Sequence, residues 1–342
     1  MLPSSDVMTD TSAPDASAVG MTQAFDQEVL GATSRKIRVA FISIFYPVFM
    51  GRYLLEALRR RPDVELWTAG PYTARWIPWA GGMHLPETYV FRPDHPLPAG
   101  TPCEVPYPQL QHSVPWEPDL WLEVNSTLRA IGRPKGGTYA IVGTDPHVLD
   151  YGPERQRADI FFGMQKPYLR PGDRWLPYGY DPVWHSPTTV PAAERKYDAA
   201  LLGLHYPQRT ELVRILRGSG LQVRYELGPA YEDARAIYHQ ARVGLNWSSL
   251  KDTTARVFEV MAFGIAPVLN RVPDLMEMFQ DGVEFVGFNS DDMTGAMNAA
   301  IGLARDPDRC DALGKAARFA VEQHHSWDHR IQTLLKEVGL VG

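Results

Sequence analysis

Residues 243–269 place an arginine and a glutamate at a spacing that suits the binding of a phosphate and a vicinal diol. Arg256 and Glu259 are three residues apart in a predicted helix, so their side chains share one face. A cation in the first turn of a helix is unfavourable, because it lies at the positive end of the helix dipole. Its presence is explained if an anion binds there as well, at the free N–H groups of Thr253 and Thr254. Glu259, one turn deeper, can accept two hydrogen bonds from a diol. We therefore predict phosphate at Arg256 and ribose at Glu259; the alternative is an intrahelical ion pair contributing about 0.3–0.5 kcal/mol.

The elements on either side of this helix place it at the edge of a buried sheet. An apolar run over 243–246 predicts a strand that ends at Asn246, and a polar loop leads from it into the helix. Gly264 ends the helix, and residues 265–269 predict the next buried strand. One face of the helix is apolar at i, i+1, i+4 and i+5, and this stripe consists of Val257, Phe258, Met261 and Ala262.

The composition is typical of a soluble globular protein and argues against two broad classes of function. Of the 342 residues, 44% are hydrophobic and 22% are charged, and the formal net charge is −6. This acidic balance disfavours a general nucleic-acid or membrane-surface binder, so a phosphate site must be a local cluster of arginines and N–H groups. No apolar run approaches the roughly 18 residues of a membrane span, which predicts no integral membrane segment.

The cysteines and the amino-terminal segment bear on the cellular compartment. Cys103 and Cys310 are too few for a disulfide framework, which favours a reducing compartment. Residues 1–34 lack the basic start and apolar core of a signal peptide and are rich in Asp, Ser, Ala and Thr. We therefore expect a disordered tail over 1–35 and a cytoplasmic protein.

Strands and helices alternate along most of the chain, which predicts an α/β protein with two Rossmann-like, doubly wound domains. A segment rich in proline separates them and is typical of a linker. The predicted parts are a domain over 36–180, a hinge over 181–195, a second domain over 196–323, and a helix within 324–342 that can cross back to the first domain. The strands predicted for the second domain are 199–202, 223–227, 243–246, 265–269 and 284–286.

The first predicted domain offers candidate acid–base residues at the end of a strand. Asp145 and His147 follow a predicted strand over 139–142, at the edge where open α/β sheets bind ligands. They are candidates for a catalytic base or an acceptor contact; the alternative is that Asp145 caps a short helix near Pro146. The turn over 45–51 contains a single glycine, which disfavours a dinucleotide site of the usual type there.

Four segments, in the correct order, resemble the group 1 glycosyltransferases and in particular their CgeB-like branch. The segments are a hinge at 176–185 (LPYGYDPVWH), a phosphate-side pair at Gly203 and Arg209, a donor-site segment at Asn246 and 256–264 (RVFEVMAFG), and a terminal His-aromatic-Arg segment at 325–330 (HSWDHR). The resemblance covers about 140–335 and implies the GT-B fold, in which two Rossmann-like domains face each other across a cleft.

The resemblance implies sugar transfer from a nucleotide-diphosphate donor to the hydroxyl of an acceptor, which is a glycan, a small molecule or a protein. Stabilising the departing diphosphate then requires positive charge and N–H groups. We expect these groups to suffice without a metal or other cofactor, and we expect no nucleic-acid partner. Glu259 would hold the ribose, and the loop ending at Tyr231 would lie near the base. The implied donor-binding residues are Gly203, Arg209, Tyr231, Asn246, Lys251, Thr253, Thr254, Arg256 and Glu259, and the catalytic candidates are Asp145, His147 and Arg256.

Lys251 departs from the family pattern, in which a glutamate near the transferred sugar stands at this position. Glu259 matches the later glutamate of that pattern, so the identity of the sugar and the stereochemistry stay open. An inverting enzyme needs a general base, for which Asp145 or His147 is the choice, whereas a retaining enzyme does not. Two other functions also stay open: a nucleotide-sugar epimerase, and an inactive protein that binds a nucleotide sugar or a partner.

Two patterns resemble metal sites but have simpler interpretations. Residues 306–308 spell Asp-Pro-Asp, yet they follow no strand and are typical of a turn with a helix cap. His324, His325 and His329 have only Asp328 nearby to complete a ligand set, so we interpret them as surface histidines. We therefore predict no metal site.

Overall fold

The computed structural model describes residues 35–71, 87–98, 102–248, 250 and 252–342, with the backbone of 76–77 and 83–84. Apolar runs of the sequence form the strands of two large parallel sheets, because such runs are buried from both sides there. Among the described residues, one antiparallel and one parallel strand pair, the third with the fourth strand and the sixth with the eighth, lie outside these sheets. The strands are β1 (Ile37–Ser43), β2 (Val64–Pro71), β3 (Trp76–Ile77), β4 (Met83–His84), β5 (His95–Leu97), β6 (Cys103–Pro106), β7 (Leu120–Asn125), β8 (Leu128–Ile131), β9 (Thr138–Gly143), β10 (Ile160–Gly163), β11 (Arg174–Trp175), β12 (Tyr197–Leu202), β13 (Val223–Glu226), β14 (Ala241–Asn246), β15 (Ala266–Asn270) and β16 (Val286–Phe288).

The first sheet has its first strand near the middle. In the described part of the chain its order is β11-β10-β9-β7-β1-β2-β5, and all of its pairings are parallel. Side chains alternate along a strand, so Val39 and Phe41 pack into one apolar cluster and Ala40 and Ile42 into another on the opposite face. The chain leaves β1 towards β2 and later returns on the other side at β7, which makes β1–β7 a topological switch point.

The second sheet repeats this plan on a smaller scale. Its order among the described residues is β13-β12-β14-β15-β16, again with parallel pairings. Ala199 and Leu201 pack on one face, and Ala200 and Leu202 pack on the other. Its switch point lies between β12 and β14, and both sheets belong to one compact unit over 36–342.

Helices connect the strands and cover the sheets. The last one packs against the first, where Arg60 and Arg61 donate hydrogen bonds to Asp328 and Gln332, so the end of the chain returns to the first sheet. The helices are α1 (Met50–Arg59), α2 (Tyr107–Leu110), α3 (Gly152–Arg157), α4 (Pro207–Gly218), α5 (Tyr231–Tyr238), α6 (Ala255–Ala262), α7 (Pro273–Met278), α8 (Met293–Ala304), α9 (Pro307–His324) and α10 (Trp327–Glu337).

The predicted fold class is confirmed, since both sheets are parallel and have helices on both faces. The predicted domain boundaries, 36–180, 181–195, 196–323 and 324–342, stay a prediction. Residues 1–34 of the predicted tail lie outside the described residues. Within the described ranges, no helix combines the length and the apolar character needed to cross a bilayer.

Some local predictions are wrong at the ends of elements. The alternative helix near Pro146 is a turn, in which the N–H groups of Val148 and Leu149 both donate to the Asp145 carbonyl. The last strand of the second sheet, predicted at 284–286, is β16 at Val286–Phe288. The helix α6 begins at Ala255, so the threonines at 253 and 254 precede its first turn.

His325 is not the surface histidine that the sequence predicted. It is half-buried, and its Nδ1 lies 2.8 Å from Nη2 of Arg330, which can only donate in that contact. Burial first, and then the neighbouring charge of Arg330, lowers the pKa of His325 to about 3. Its role is structural, because its carbonyl also accepts from the backbone N–H of Tyr180 at 3.0 Å. In the described chain no group of three or more His, Cys, Asp or Glu is placed to hold a metal ion.

The end of α6 is fixed by a close helix crossing. Gly264 has a φ of +69°, in the left-handed region that favours glycine, and it ends the helix. Helix α9 crosses at this point, and a Cβ added at Gly314 would lie 2.3 Å from the Gly264 carbonyl oxygen. α9 therefore packs directly on the backbone that follows α6 and leaves no room for a side chain.

This crossing makes a testable prediction about Gly314. Gly314→Ala should lower the free energy of unfolding by about 1–3 kcal/mol, because the added methyl overpacks the crossing. Gly302, in α8, is the matched control because nothing lies within 4 Å of its Cβ position. Gly302→Ala should raise the free energy of unfolding by about 0.5–1 kcal/mol through helix propensity alone. Urea denaturation of both variants tests this, and equal effects of the two substitutions would contradict the packing described.

Candidate functional site

A pocket of about 300 Å³ lies at the carboxyl ends of strands from both sheets. Val48 follows β1 and Asp145 follows β9, whereas Gly203 follows β12 and Asn246 ends β14. These edges lie at or next to the switch points, where open α/β sheets bind their ligands. Arg256 of α6 also lines the pocket, so the helix singled out in the sequence faces a cavity that both sheets form.

Gly203 and Arg209 form the side of the pocket beyond β12. Gly203 has a φ of +141°, and a Cβ there would lie 3.2 Å from Nη1 of Arg209. Arg209 is buried, and it donates to the carbonyl oxygens of Trp247 at 2.7 Å and of Leu204 at 3.3 Å. Burial first, and then the charge of Arg256, lowers the pKa of Arg209. The guanidinium groups of Arg209 and Arg256 repel each other in one pocket. An anion bound between them would offset this repulsion and stabilise both charges.

Arg256 and Glu259 are paired, and the pair faces the pocket. Nη1 of Arg256 lies 2.6 Å from Oε2 of Glu259, and Glu259 is only 4% exposed. Its other oxygen, Oε1, accepts a hydrogen bond from the Tyr53 hydroxyl at 3.3 Å and lies 3.9 Å from Nε2 of His185. The intrahelical pair and the pocket position are therefore both present, and the binding of ribose by Glu259 stays a prediction.

The protonation of His185 follows from its hydrogen bonds. The backbone N–H of Asp181 donates to Nδ1 of His185 at 2.8 Å, so the neutral ring carries its proton on Nε2, the nitrogen that faces Glu259. Burial lowers the pKa of His185, and this effect exceeds the opposing effect of the Glu259 carboxylate. An uncharged imidazole therefore directs an N–H towards the buried carboxylate.

His147 and Asp252 approach each other across the pocket from the two sheets. Nε2 of His147 lies 4.0 Å from Oδ2 of Asp252, and their side chains are 6% and 11% exposed. Ser248 fixes Asp252, since its hydroxyl donates to the carboxylate and accepts from the Asp252 N–H at 2.9 Å. Nδ1 of His147 is buried without a hydrogen-bond partner among the described residues. Asp145 lines the same side and accepts from the Thr144 hydroxyl at 2.7 Å.

Two of the predicted donor-binding residues do not line this pocket. Tyr231 is 1% exposed, and its ring lies 3.9 Å from that of Trp184 between centroids. Its hydroxyl accepts a hydrogen bond from the backbone N–H of Val48 at 3.2 Å. The aromatic ring is therefore held in the packed junction of the sheets rather than at a ligand surface. Thr253 is also buried, and its backbone bonds to Gln165.

The other predicted residues divide into those that line the pocket and one that is not described. Thr254 and Asn246 line it, as do Gly203, Arg209, Arg256, Glu259, Asp145 and His147. The Oγ1 atom of Thr254 is buried and has no partner among the described residues, which leaves it free to bond to a ligand. Lys251 lies outside the described residues.

Sequence reasoning missed Val48, Tyr206, Ser248 and Asp252 as residues that line the pocket. Val48 lies in a turn that lacks the glycine fingerprint, although its position after a central strand was a usable signal. Ser248 and Asp252 belong to the polar loop before α6, in which polarity alone gives no signal for the role of a single residue. Tyr206 precedes α4, and its ring lies 5.1 Å from the guanidinium carbon of Arg209.

The part of the chain that forms the second sheet matches a known family. Residues 188–336 match the family model described as glycosyl transferase-like. A GDP-mannose:cellobiosyl-diphosphopolyprenol alpha-mannosyltransferase of Xanthomonas oryzae pv. oryzae is 23% identical over 159 residues, which is 46% of this chain and 39% of that protein. The match therefore spans about two fifths of the length of this curated relative.

Solved structures match nearly the whole described fold. Sucrose-phosphate synthase from Thermosynechococcus elongatus aligns with a TM-score of 0.57 at 15% identity, over 89% of this chain and 99% of that one. HepE from Anabaena, solved with UDP and glucose, aligns with a TM-score of 0.59 at 9% identity, over 88% and 99%. An alpha-glucosyltransferase solved with UDP and a 13-mer DNA gives 0.60 at 10% identity, over 89% and 99%. The chain thus has the GT-B fold that these glycosyltransferases share.

The buried His185 predicts a pH dependence of stability. Its folded-state pKa lies below the value of about 6.5 in an unfolded chain, so only the unfolded state gains a proton as the pH falls through that value. The stabilisation is complete above about pH 6.5 and is lost progressively below it. His185→Asn keeps an acceptor for the Asp181 N–H but does not titrate, so we expect a shallower loss of stability on acidification. The difference in slope should be at most about 1.4 kcal/mol per pH unit, measured by urea denaturation between about pH 7 and 5.5. Identical slopes for the two proteins would show that this histidine is not held neutral.

Proposed function

We propose that this protein is a glycosyltransferase that moves a sugar from a nucleotide-diphosphate donor to an acceptor hydroxyl in the cytoplasm. The observation that carries the proposal is one pocket in which Arg209, Arg256 and Glu259 meet at the switch point of the second sheet. The match to a glycosyl transferase-like family over 188–336 supports it, because this segment contains all three residues. The order of the four resembling segments supports the further proposal that the protein belongs to the CgeB-like branch of group 1.

Positive charge in the pocket would stabilise the departing diphosphate. Arg209 and Arg256 both line the cavity, and α6 begins at the edge of the same cavity. The free N–H groups of its first turn therefore add positive partial charge there. Negative charge that grows on the leaving group in the transition state is stabilised by such fixed donors in a site shielded from water. The side chains of the protein thus supply this stabilisation themselves, and we propose that the reaction needs no metal.

Donor binding would involve an exchange of partners at Arg256. When the diphosphate binds, the Arg256 guanidinium turns its donors to the phosphate oxygens, which frees Oε2 of Glu259 for the ribose hydroxyls. The Tyr53 hydroxyl keeps its hydrogen bond to Oε1 and holds the carboxylate in orientation, while Nε2 of His185 faces the same oxygen from 3.9 Å. A carboxylate held in this way loses little freedom on binding, and a hydrogen bond to a charged group contributes about 1.5–3 kcal/mol.

The first sheet would supply the residues on the acceptor side. Asp145 and His147 reach the pocket from the loop after β9, opposite α6. If the reaction inverts the anomeric centre, one of them acts as the general base that takes the proton of the acceptor hydroxyl. If the reaction retains it, the two residues contact the sugar or the acceptor without taking a proton.

Thermal denaturation with UDP, GDP, UDP-glucose and GDP-mannose tests the proposal. A ligand that binds only the folded state stabilises it, by about 2.7 kcal/mol at a hundred times the dissociation constant. We expect at least one nucleotide and its sugar to raise the melting temperature, and the sugar to release nucleoside diphosphate when acceptors are added. Binding without release in any assay would favour the inactive binding protein, and isomerised donor without release would favour the epimerase. No stabilisation by any nucleotide would contradict the proposal.

A matched pair of variants tests the role of Glu259. Glu259→Gln keeps the shape of the side chain but removes its charge, so donor affinity should fall by about 1–3 kcal/mol. Glu211→Gln is the control, because Glu211 also pairs with an arginine three residues away but lies exposed on α4. Calorimetric titration with the stabilising nucleotide sugar should show wild-type affinity for the control. If both variants bind the nucleotide sugar equally well, Glu259 does not contact the donor, and its role is limited to the ion pair with Arg256.

A further inference from the structure

The side chain of Gln165 spans the cleft and pairs with backbone of the second sheet. Its Nε2 donates to the Thr253 carbonyl at 2.9 Å, and its Oε1 accepts from the Thr253 N–H at 3.1 Å. Gln165 is fully buried and follows β10 of the first sheet, whereas Thr253 lies just before α6. A side-chain amide that meets both backbone groups of one residue fixes that residue as a neighbouring strand would.

The same point of the first sheet makes a second backbone contact with the second sheet. The N–H of Lys166 donates to the Asp274 carboxylate at 2.9 Å at the start of α7, and the Lys166 ammonium pairs with Glu277. Asp274 is buried, so this hydrogen bond also lies inside the junction. Residues 165–166 therefore join the first sheet to the segments that precede α6 and begin α7.

Thr253 itself does not line the pocket, but both of its neighbours do. Asp252 and Thr254 line the cavity on either side of it. Successive residues of an extended backbone point to opposite sides, so fixing Thr253 inward directs its neighbours outward. In the described chain Asp252 also faces His147 across the pocket. The orientation of this loop thus depends on a contact from the opposite sheet.

We propose that Gln165 is a positioning residue: its amide holds the Thr253 backbone so that Asp252 and Thr254 face the donor. This inference rests on the proposed function for the identity of the ligand, but not for the contact. The loop takes its binding geometry only while the first sheet lies against it.

Gln165→Glu gives this role a signature that a general structural role lacks. A protonated glutamic acid has the hydrogen-bonding pattern of the amide, because its hydroxyl donates to the Thr253 carbonyl and its carbonyl oxygen accepts the N–H. An ionised carboxylate cannot donate and repels the carbonyl. Burial raises the pKa of a carboxyl group, so the variant changes form within an accessible pH range. The titratable groups that surround this point are Asp145, His147, Tyr178, Lys166, Asp252, Asp274 and Glu277.

Donor binding is measured by calorimetry with UDP-glucose or GDP-mannose at about pH 8.5 and 5.5, always relative to wild type at the same pH. Relative to wild type, we expect Gln165→Glu to bind about tenfold more weakly at the higher pH, as a lost buried hydrogen bond implies. At the lower pH its affinity should return to within about twofold of wild type. A weakening that is the same at both pH values, or no weakening at either, overturns the proposal.

Lys166→Ala is the matched control at the same junction, since it removes an exposed ion pair but keeps the backbone bond to Asp274. It should bind the donor as wild type does at both pH values. Amide hydrogen exchange of the ligand-free protein separates this inference from the proposed function. At high pH the ionised carboxylate of Gln165→Glu can still accept the Thr253 N–H, but it repels the Thr253 carbonyl and so weakens the pairing. The Thr253 amide should therefore exchange faster than in wild type, whatever the ligand proves to be. If wild type binds neither nucleotide sugar, the proposed function fails, and unchanged exchange at Thr253 overturns the role of Gln165.

Discussion

The pairing of a buried carboxylate with a guanidinium at the start of α6 is the interaction on which the pocket depends. Glu259 and Arg256 have left most of their hydration, and removing one partner of such a pair typically costs about 3–5 kcal/mol. Glu259 also accepts a hydrogen bond from the Tyr53 hydroxyl, and Nε2 of His185 faces its Oε1 at 3.9 Å. The pair is stable without a ligand, yet Arg256 stays in contact with the cavity and can change partners when an anion binds.

The pocket also requires that the two sheets stay together. Tyr53 belongs to α1 of the first sheet and bonds to the end of Glu259, whereas Gln165 follows β10 and holds the backbone before α6. Residues of the first sheet and its helices thus contact α6 at the Glu259 side chain and at the backbone of Thr253, just before the helix begins. From behind, α9 packs on the turn after α6 at Gly314. These contacts leave the face with Arg256 turned to the cleft.

Local pattern was sufficient to predict the fold and the helix at the centre of the site. The apolar run of β1 and the alternation of strands and helices predict parallel sheets covered on both faces, because burial alone produces that pattern. The spacing of Arg256 and Glu259 likewise predicts a shared face, since a helix has a fixed geometry. The carboxyl ends of strands indicate the edge at which a ligand can bind, and Asn246 and Asp145, both predicted at strand ends, line the pocket. Gly203, which also lines it, was predicted from the family resemblance.

Contacts between distant segments could not be predicted in this way. Tyr53 and Glu259 are 206 residues apart, and Gln165 and Thr253 are 88 apart, so no local period connects them. Tyr231 packs its ring on that of Trp184, which is far from it in sequence, and a large aromatic ring buries much apolar area in such a contact. Its contact with the donor stays a prediction. Tertiary packing, rather than propensity, decides such cases.

A crystal structure of the protein with the nucleoside diphosphate that stabilises it most is the measurement that tests the central claim most directly. We expect the diphosphate between Arg209, Arg256 and the Gly203 backbone, with the ribose hydroxyls at Glu259. A nucleotide bound elsewhere on the protein, with the Arg256–Glu259 pair unchanged and the pocket empty, would contradict the account.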